Sequence, residues 1–329
     1  MRKIHLRKRT LAIAAVAVML LGAVGLGVAG NFLFEFALDP HAGYSMKRMM
    51  DADEVDGLEE APANDAALEQ QAAAWFEEGR VQVAHTAEDG TALSGWRIDQ
   101  PEAAASHTYA VVLHGYTAEP ARVAKYAYSF YERGMNVLMP AARAHERSGG
   151  SFIGMGWPER RDVIGWLNDI VAADPDARIL VFGISMGGAT AMMTAGESDL
   201  PANVVGIIED CGYASVWEEF AVQLQNVFGL PSFPLLDVAN AVCQVRAGWD
   251  FHEASAVDAV GRATVPMLFI HGDADTFVPY EMLDEVYEAC ASPVKEKLVV
   301  HGAPHAGSAS TNPEQYWTCV NGFLDKIGL

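Results

Sequence analysis

Basic side chains are scarce in this sequence, and many of those present crowd one end. Only 22 Lys and Arg face 43 Asp and Glu, for a net charge of −21. Five of the 22 lie within Met1 to Arg9, so the rest of the chain sets 17 basic against 43 acidic residues, a net −26. A domain so acidic is a poor ligand for nucleic acid or for an anionic lipid surface. Cofactor signatures are missing as well. No glycine-rich phosphate loop leads into a lysine, and no dinucleotide fingerprint follows a strand. The four cysteines, Cys211, Cys243, Cys290 and Cys319, match no zinc spacing. Neither a cofactor nor a metal is therefore expected. Long repeats and low-complexity tracts are absent. Four cysteines permit two disulfides in an oxidising compartment; Cys290 and Cys319 are a conceivable pair, with free buried thiols as the alternative.

What the amino terminus does have is an uncharged run of 25 residues, Thr10 to Phe34, directly after its five basic residues. A helix needs about 20 apolar residues to cross a bilayer. The run is expected to be a single-pass signal-anchor helix (10–34) behind a cytoplasmic basic segment (1–9), because basic residues stay on the cytoplasmic side. A cleaved signal peptide is the competing reading, since Val28-Ala-Gly30 offers small residues suited to a cleavage site. The apolar core is longer than the 7–15 residues usual for such a peptide, which favours the anchor. Either reading places the remainder outside the cytoplasmic membrane.

The most informative local pattern is Gly183-Ile184-Ser185-Met186-Gly187. It follows the apolar run Arg178 to Phe182 and opens a stretch of small residues, so a serine sits where a buried strand turns sharply into a helix. Glycines on both sides allow a turn that a side chain would block. Ser185 is the expected nucleophile. His271-Gly-Asp-Ala-Asp275 follows a second strand-like run, and Gly302-Ala-Pro-His305 follows a third. Asp275 is expected to orient His305, and His305 to serve as general base. Asp210, after the run Val204 to Ile208, is the rival acid; His301 is the rival base, read as structural. Asp273 is expected to brace its turn through backbone N–H groups. His114 and His271 belong to His-Gly turns in which the backbone matters more than the ring. Tyr109 to Leu113 leads into His114-Gly115-Tyr116, and the N–H groups of Tyr116 and Met186 are expected to form the oxyanion hole, the latter at a helix amino end. The Tyr116 ring is read as pocket wall, with a direct role for its hydroxyl as the alternative.

These motifs, together with Ala144-His-Glu-Arg-Ser148-Gly149, Gly154-Met-Gly156 and Glu209-Asp-Cys-Gly-Tyr213, resemble those of the α/β-hydrolase superfamily over roughly Arg80 to Leu329. The chain is similar to its membrane-anchored bacterial cell-surface members, in the branch of esterases and serine aminopeptidases. The order Ser185, Asp275, His305 matches that superfamily and differs from the chymotrypsin and subtilisin orders. The resemblance implies a Ser-His-Asp serine hydrolase working through an acyl-enzyme. It says little about substrate, because the fold hosts many chemistries.

Strand and helix patterns alternate along the rest, which implies an α/β domain (80–329) with a mostly parallel sheet covered on both faces. A spacer (35–79), helical over Ala66 to Glu78, precedes it. The insertion at about 215–264 carries Trp217, Phe220, Leu224, Phe228, Phe233 and Leu236 and is expected to form a small helical cap over Ser185; packing on the domain flank is the alternative. The expected function is a membrane-anchored, extracytoplasmic serine hydrolase, a carboxylesterase on small or medium acyl esters. Alternatives are a serine peptidase on short peptides, then a lysophospholipase, thioesterase or acyltransferase. A catalytically inactive membrane-bound binding protein is the alternative from another class. The expected partners are a small-molecule ester or peptide and, through the N-terminal helix, the cytoplasmic membrane. Oligomeric state is left open.

Overall fold

Continuous apolar runs such as Ile179 to Ile184 belong to strands covered on both faces, and in the computed structural model, which describes residues 2–51, 62–101 and 106–329, they build the middle of one sheet. Its strands are β1 (Val81–Thr86), β2 (Ala92–Ile98), β3 (Thr108–Leu113), β4 (Asn136–Pro140), β5 (Arg178–Ile184), β6 (Val204–Asp210), β7 (Met267–Gly272) and β8 (Lys295–Val300). The spatial order is β1-β2-β4-β3-β5-β6-β7-β8. Only β2 runs against its neighbours β1 and β4; every other neighbouring pair is parallel. Registers such as Val111 to Val181 and Leu113 to Gly183 bring the end of β3 beside the end of β5.

Successive side chains on a strand point to opposite faces, and the core divides accordingly. Ile179, Val181, Met267 and Phe269 join one apolar cluster, while Leu180, Phe182, Leu268 and Ile270 join the other. The first cluster is closed by helices α5 (Glu159–Ala173), α6 (Met186–Ala195), α9 (Ala256–Val260) and α10 (Glu281–Ala289). The second is closed by α3 (Ala66–Gly79), α4 (Ala124–Glu132) and α12 (Pro313–Ile327). The short helices α2 (Met46–Asp51) and α11 (Ser308–Thr311) complete the chain order with the cap helices α7 (Val216–Phe228) and α8 (Ser232–Arg246). Ser215 caps α7 by accepting from the Glu218 N–H, and Gly229, at φ 65°, ends it in the left-handed conformation glycine favours. This is the α/β-hydrolase fold, with a mostly parallel sheet as the alternation implied.

The N-terminal helix differs from expectation at both ends. Helix α1 runs from Arg2 to Leu38 without a break, rather than over 10–34. Met19 to Val28 are exposed throughout, and Met19–Leu38 is long and apolar enough to cross a membrane. Its last turns are not free. Phe34, Phe36 and Leu38 are buried in the domain core, each burial worth about 1.5–3 kcal/mol. Close packing on α8 explains the extension: a Cβ at Gly30 would fall 2.6 Å from Val238 Cγ1, so only glycine permits this approach. Arg246 of α8 holds the same turns, donating to Asn31 Oδ1 at 2.7 Å and Glu35 Oε1 at 2.8 Å. The expected spacer (35–79) therefore begins inside the folded domain; part of it, residues 52–61, lies outside the described residues.

The conceivable Cys290–Cys319 pair is not formed. All four cysteines are free, and Cys290 instead packs its Sγ 3.8 Å from Met267 Sδ.

Candidate active site

Ser185 sits between β5 and α6 with φ 56° and ψ −121°, a conformation that L residues rarely adopt. The flanking glycines allow it. A Cβ at Gly183 would lie 2.0 Å from Gly187 O, and one at Gly187 would lie 2.3 Å from Leu113 O, so any side chain would collide with backbone. The Ser185 N–H donates to Asp210 O at 2.8 Å, tying the turn to the neighbouring strand.

Loops beyond the carboxyl ends of β7 and β8 bring the other two expected residues to this serine. His305 Nε2 lies 2.9 Å from Ser185 Oγ, and His305 Nδ1 lies 2.7 Å from Asp275 Oδ2. A carboxylate facing Nδ1 holds the proton there and leaves Nε2 free to accept from the hydroxyl. Asp275 is buried, and burial alone would push its carboxyl up; the His305 charge and hydrogen bonds from His271 and His305 outweigh it and hold it at about 2. Its other oxygen accepts from the N–H groups of Phe277 and Val278 at 3.0 and 2.9 Å.

The rivals stand elsewhere. Asp210, at the end of β6, accepts from the Tyr316 hydroxyl at 2.9 Å, and burial pushes its carboxyl up to about 6. His301 is exposed and pairs through Nδ1 with Asp273 Oδ2 at 2.6 Å, while Asp273 Oδ1 accepts from the Gly302 N–H. Asp273 thus bonds a backbone N–H as expected, but across two loops rather than within its own turn.

Three histidine rings matter more than the sequence suggested. His271 Nε2 lies 3.1 Å from Val278 O and 3.2 Å from Asp275 Oδ2, so its N–H is shared between the carbonyl and the carboxylate. Burial would push His271 down, yet the Asp275 carboxylate raises it above the ordinary histidine value. The backbone reading holds too, since a Cβ at Gly272 would lie 2.1 Å from Ala303 O. His114 donates from Nδ1 to Gly115 O at 2.8 Å and accepts at Nε2 from the Ala142 N–H at 3.0 Å. His145, to which the sequence assigned no role, donates to Arg143 O at 2.9 Å and accepts from the Thr117 N–H at 3.0 Å. These two rings meet edge-on at 4.9 Å, and burial lowers them to about 3 and about 4, keeping both neutral as their mixed donor and acceptor roles require. Together they pin the loop carrying Tyr116. The sequence signal was the histidine inside the Ala144 to Gly149 motif, whose partner 28 residues earlier only the fold reveals.

That loop passes close beside the serine: a Cβ at Gly115 would fall 3.3 Å from Ser185 Cβ. The N–H of Met186 is the first in α6, where helix geometry provides no internal acceptor. The Tyr116 hydroxyl does not face the serine. It donates to Ala37 O of α1 at 2.5 Å.

Ser185 opens into a cavity of about 80 Å³ walled by apolar side chains of α7, α8 and α1, among them Phe220, Leu224, Leu236, Leu33 and Phe36. The insertion thus covers the serine instead of packing on the flank. Two polar side chains interrupt the wall. Gln223 donates to Glu219 Oε1 and Phe277 O, both at 2.8 Å, while Glu219 Oε2 and Gln223 Oε1 are buried without a partner. Burial raises Glu219 to about 8, so it is neutral at pH 7. Among the described residues, one group has metal-binding atom types close together, Cys211, Asp275 and His305. Two of its members are engaged with Ser185 or its histidine, and burial raises the Cys211 thiol well above its ordinary value, which disfavours the thiolate a metal needs.

A family profile described as "Serine aminopeptidase, S33" matches residues 105–230. The chain is 31% identical over 222 residues to the uncharacterized protein YqkD of Bacillus subtilis, covering 66% of this chain and 71% of that one. It is 26% identical over 223 residues to the uncharacterized protein YfhR of Escherichia coli K12, covering 67% and 72%. Among solved structures, the Pyrococcus furiosus esterase Pf2001 superposes with a TM-score of 0.60 at 26% identity, over 76% of this chain and 93% of that one. The Pyrococcus horikoshii acylaminoacyl peptidase shares the fold, with a TM-score of 0.57 at 16% identity, over 75% of this chain and 41% of that one.

Proposed function

Because the chain belongs to the α/β-hydrolase family of serine hydrolases, which spans esterases and peptidases, we propose that Ser185 is its nucleophile, His305 its general base and Asp275 the acid that orients the base. The observation carrying this is the unbroken chain from Ser185 Oγ through the His305 ring to Asp275, at 2.9 and 2.7 Å, on a serine held at positive φ. In the reaction His305 Nε2 takes the hydroxyl proton as Oγ bonds to the substrate carbonyl carbon. The carbonyl oxygen becomes an oxyanion, received by the N–H groups of Tyr116 and Met186. His305 then gives the proton to the departing alkoxide, leaving an acyl-enzyme. Water, deprotonated by the same ring, releases the acid and restores Ser185.

The substrate class we favour is a carboxylic ester with a small or medium acyl group, supported by the apolar cavity that meets Ser185 and by the esterase among the solved relatives. A peptidase on short peptides is the second reading. It is favoured by the unpartnered polar atoms Glu219 Oε2 and Gln223 Oε1 in the cavity wall, which the polar groups of a short peptide would satisfy and an acyl chain leaves bare. We read α1 as a membrane anchor with the hydrolase domain on the extracytoplasmic side, on the strength of its exposed apolar stretch and basic start.

A fluorophosphonate probe tests the assignment, since it reports an activated serine whatever the natural substrate. Full-length protein should be labelled on Ser185, located by mass spectrometry, and the label should vanish in Ser185→Ala and His305→Ala. Absence of label on folded wild-type protein would sink the catalytic reading and favour a binding role.

A further inference from the structure

The cavity at Ser185 is not built by the hydrolase domain alone. Leu33, Phe36 and Ala37, from the last two turns of α1, stand in its wall together with Leu224 and Phe228 of α7 and Leu236 of α8. These are the turns that directly continue the exposed apolar stretch. The uncharged residues from Thr10 to Val28 make about 28 Å of helix at 1.5 Å per residue, close to the roughly 30 Å hydrocarbon core of a bilayer. Packing on the domain begins immediately after, at Gly30. From Val28 to Leu33 is five residues, or about 8 Å along the axis, so the wall of the cavity lies within a headgroup layer of the end of the apolar stretch.

Three contacts fix this arrangement. The Tyr116 hydroxyl bonds Ala37 O, tying α1 to the loop beside Ser185. Phe228 packs against Phe36 at 5.0 Å and Phe32 at 6.1 Å, joining α1 to the end of α7. Arg246 bonds Asn31 and Glu35 from α8. Leu230, two residues after Phe228, and Phe233 at the start of α8 are 40% and 77% exposed, apolar side chains for which an acyl interface is a better neighbour than water.

We propose that the end of α1 is a specificity wall of the active site, and that the substrate is a single-chain acyl ester held at the membrane surface, whose chain lodges between α1 and the cap helices. The proposal rests on Ser185 being the nucleophile. A cavity of about 80 Å³ has room for one short alkyl chain rather than a bulky ring. The neutral Glu219 in its wall tolerates such a chain where an ionised carboxylate would not. The helix thereby does two jobs with one segment: it holds the enzyme at the bilayer and lines the site with residues that select what the bilayer presents.

The test uses full-length protein reconstituted in phosphatidylcholine vesicles, with kcat/KM measured for p-nitrophenyl acetate, butyrate, octanoate and dodecanoate. Wild type should favour butyrate or octanoate over acetate by tenfold or more. Ala37→Phe, which fills the wall, should lower that ratio at least tenfold. Leu33→Ala, which widens it, should move the optimum toward dodecanoate and serves if Ala37→Phe does not fold. Fluorophosphonate titration of Ser185 in each preparation counts folded, competent sites. A flat or acetate-favouring profile in labelled wild type would overturn the proposal while leaving the serine assignment intact, and so would a profile that neither variant moves. Wild type that resists the label overturns both readings.

Discussion

Asp275→Asn is the sharpest single perturbation of this site, because asparagine preserves volume while reversing the chemistry of one atom. Four donors converge on the Asp275 carboxylate: the N–H groups of Phe277 and Val278, His271 Nε2 and His305 Nδ1. An asparagine can offer its oxygen to the two backbone N–H groups only by turning its NH₂ toward the histidines. His305 Nδ1 must then give up its proton to accept from that NH₂, so Nε2 carries the proton and points N–H at Ser185 Oγ. On the proposed mechanism the base is lost although every atom stays near its place. In the chymotrypsin triad the equivalent change costs about 10⁴ in kcat. The same tautomer argument predicts a fall in kcat/KM of about 10³ to 10⁴ here, or about 4–5.5 kcal/mol in the barrier. The assay is p-nitrophenyl butyrate hydrolysis with active sites counted, beside Asp210→Asn as comparison. Asp210 bonds Tyr316 rather than His305, so its variant should lose at most a few fold in kcat/KM. If Asp275→Asn keeps more than about a tenth of wild-type kcat/KM, or if Asp210→Asn loses more, the tautomer argument fails and the orienting acid is Asp210.

Two further outcomes follow from the same geometry. Gly183→Ala would drive a Cβ to within 2.0 Å of Gly187 O, and overpacking of that kind costs about 1–3 kcal/mol or more; thermal unfolding should drop by several degrees, and an unchanged Tm would refute the close-approach account. Stability should also fall as pH rises. Burial pushes Glu159 up to about 7 and Glu209 and Glu219 up to about 8. A carboxyl raised in the folded state stabilises below its unfolded value near 4.3, and that contribution is lost as pH rises through the folded value. Each contributes up to about 1.4 kcal/mol per pH unit between those limits. Chemical denaturation from pH 5 to pH 8 should show the decline, less steep in Glu219→Gln; a flat profile would mean these carboxyls are not buried as described.

Much of this protein was written locally. Strands β3, β5 and β6 end within two residues of the runs Tyr109 to Leu113, Arg178 to Phe182 and Val204 to Ile208, because continuous apolar runs between turn residues leave a buried strand little alternative. The serine turn was equally legible, since two glycines around one serine between a strand and a helix encode a backbone constraint that only neighbouring residues satisfy. The chain order of Ser185, Asp275 and His305 was likewise available to inspection. What remained open were choices between residues that look alike along the chain. Asp210 and Asp275 both follow apolar strands, and only the three-dimensional path of two loops puts Asp275 rather than Asp210 against His305. The rings of His114 and His145 are each bonded to a partner 28 residues away, across loops whose mutual approach no local pattern encodes. Helix α1 is the largest such case. Its composition determined that it could be a long apolar helix, but its end at Leu38 and its place in the cavity wall depend on Gly30, Phe34 and Tyr116 meeting α8 and the Ser185 loop. Backbone conformation and periodicity are local quantities that a sequence determines directly; contact partners are set by packing, which belongs to the whole chain at once.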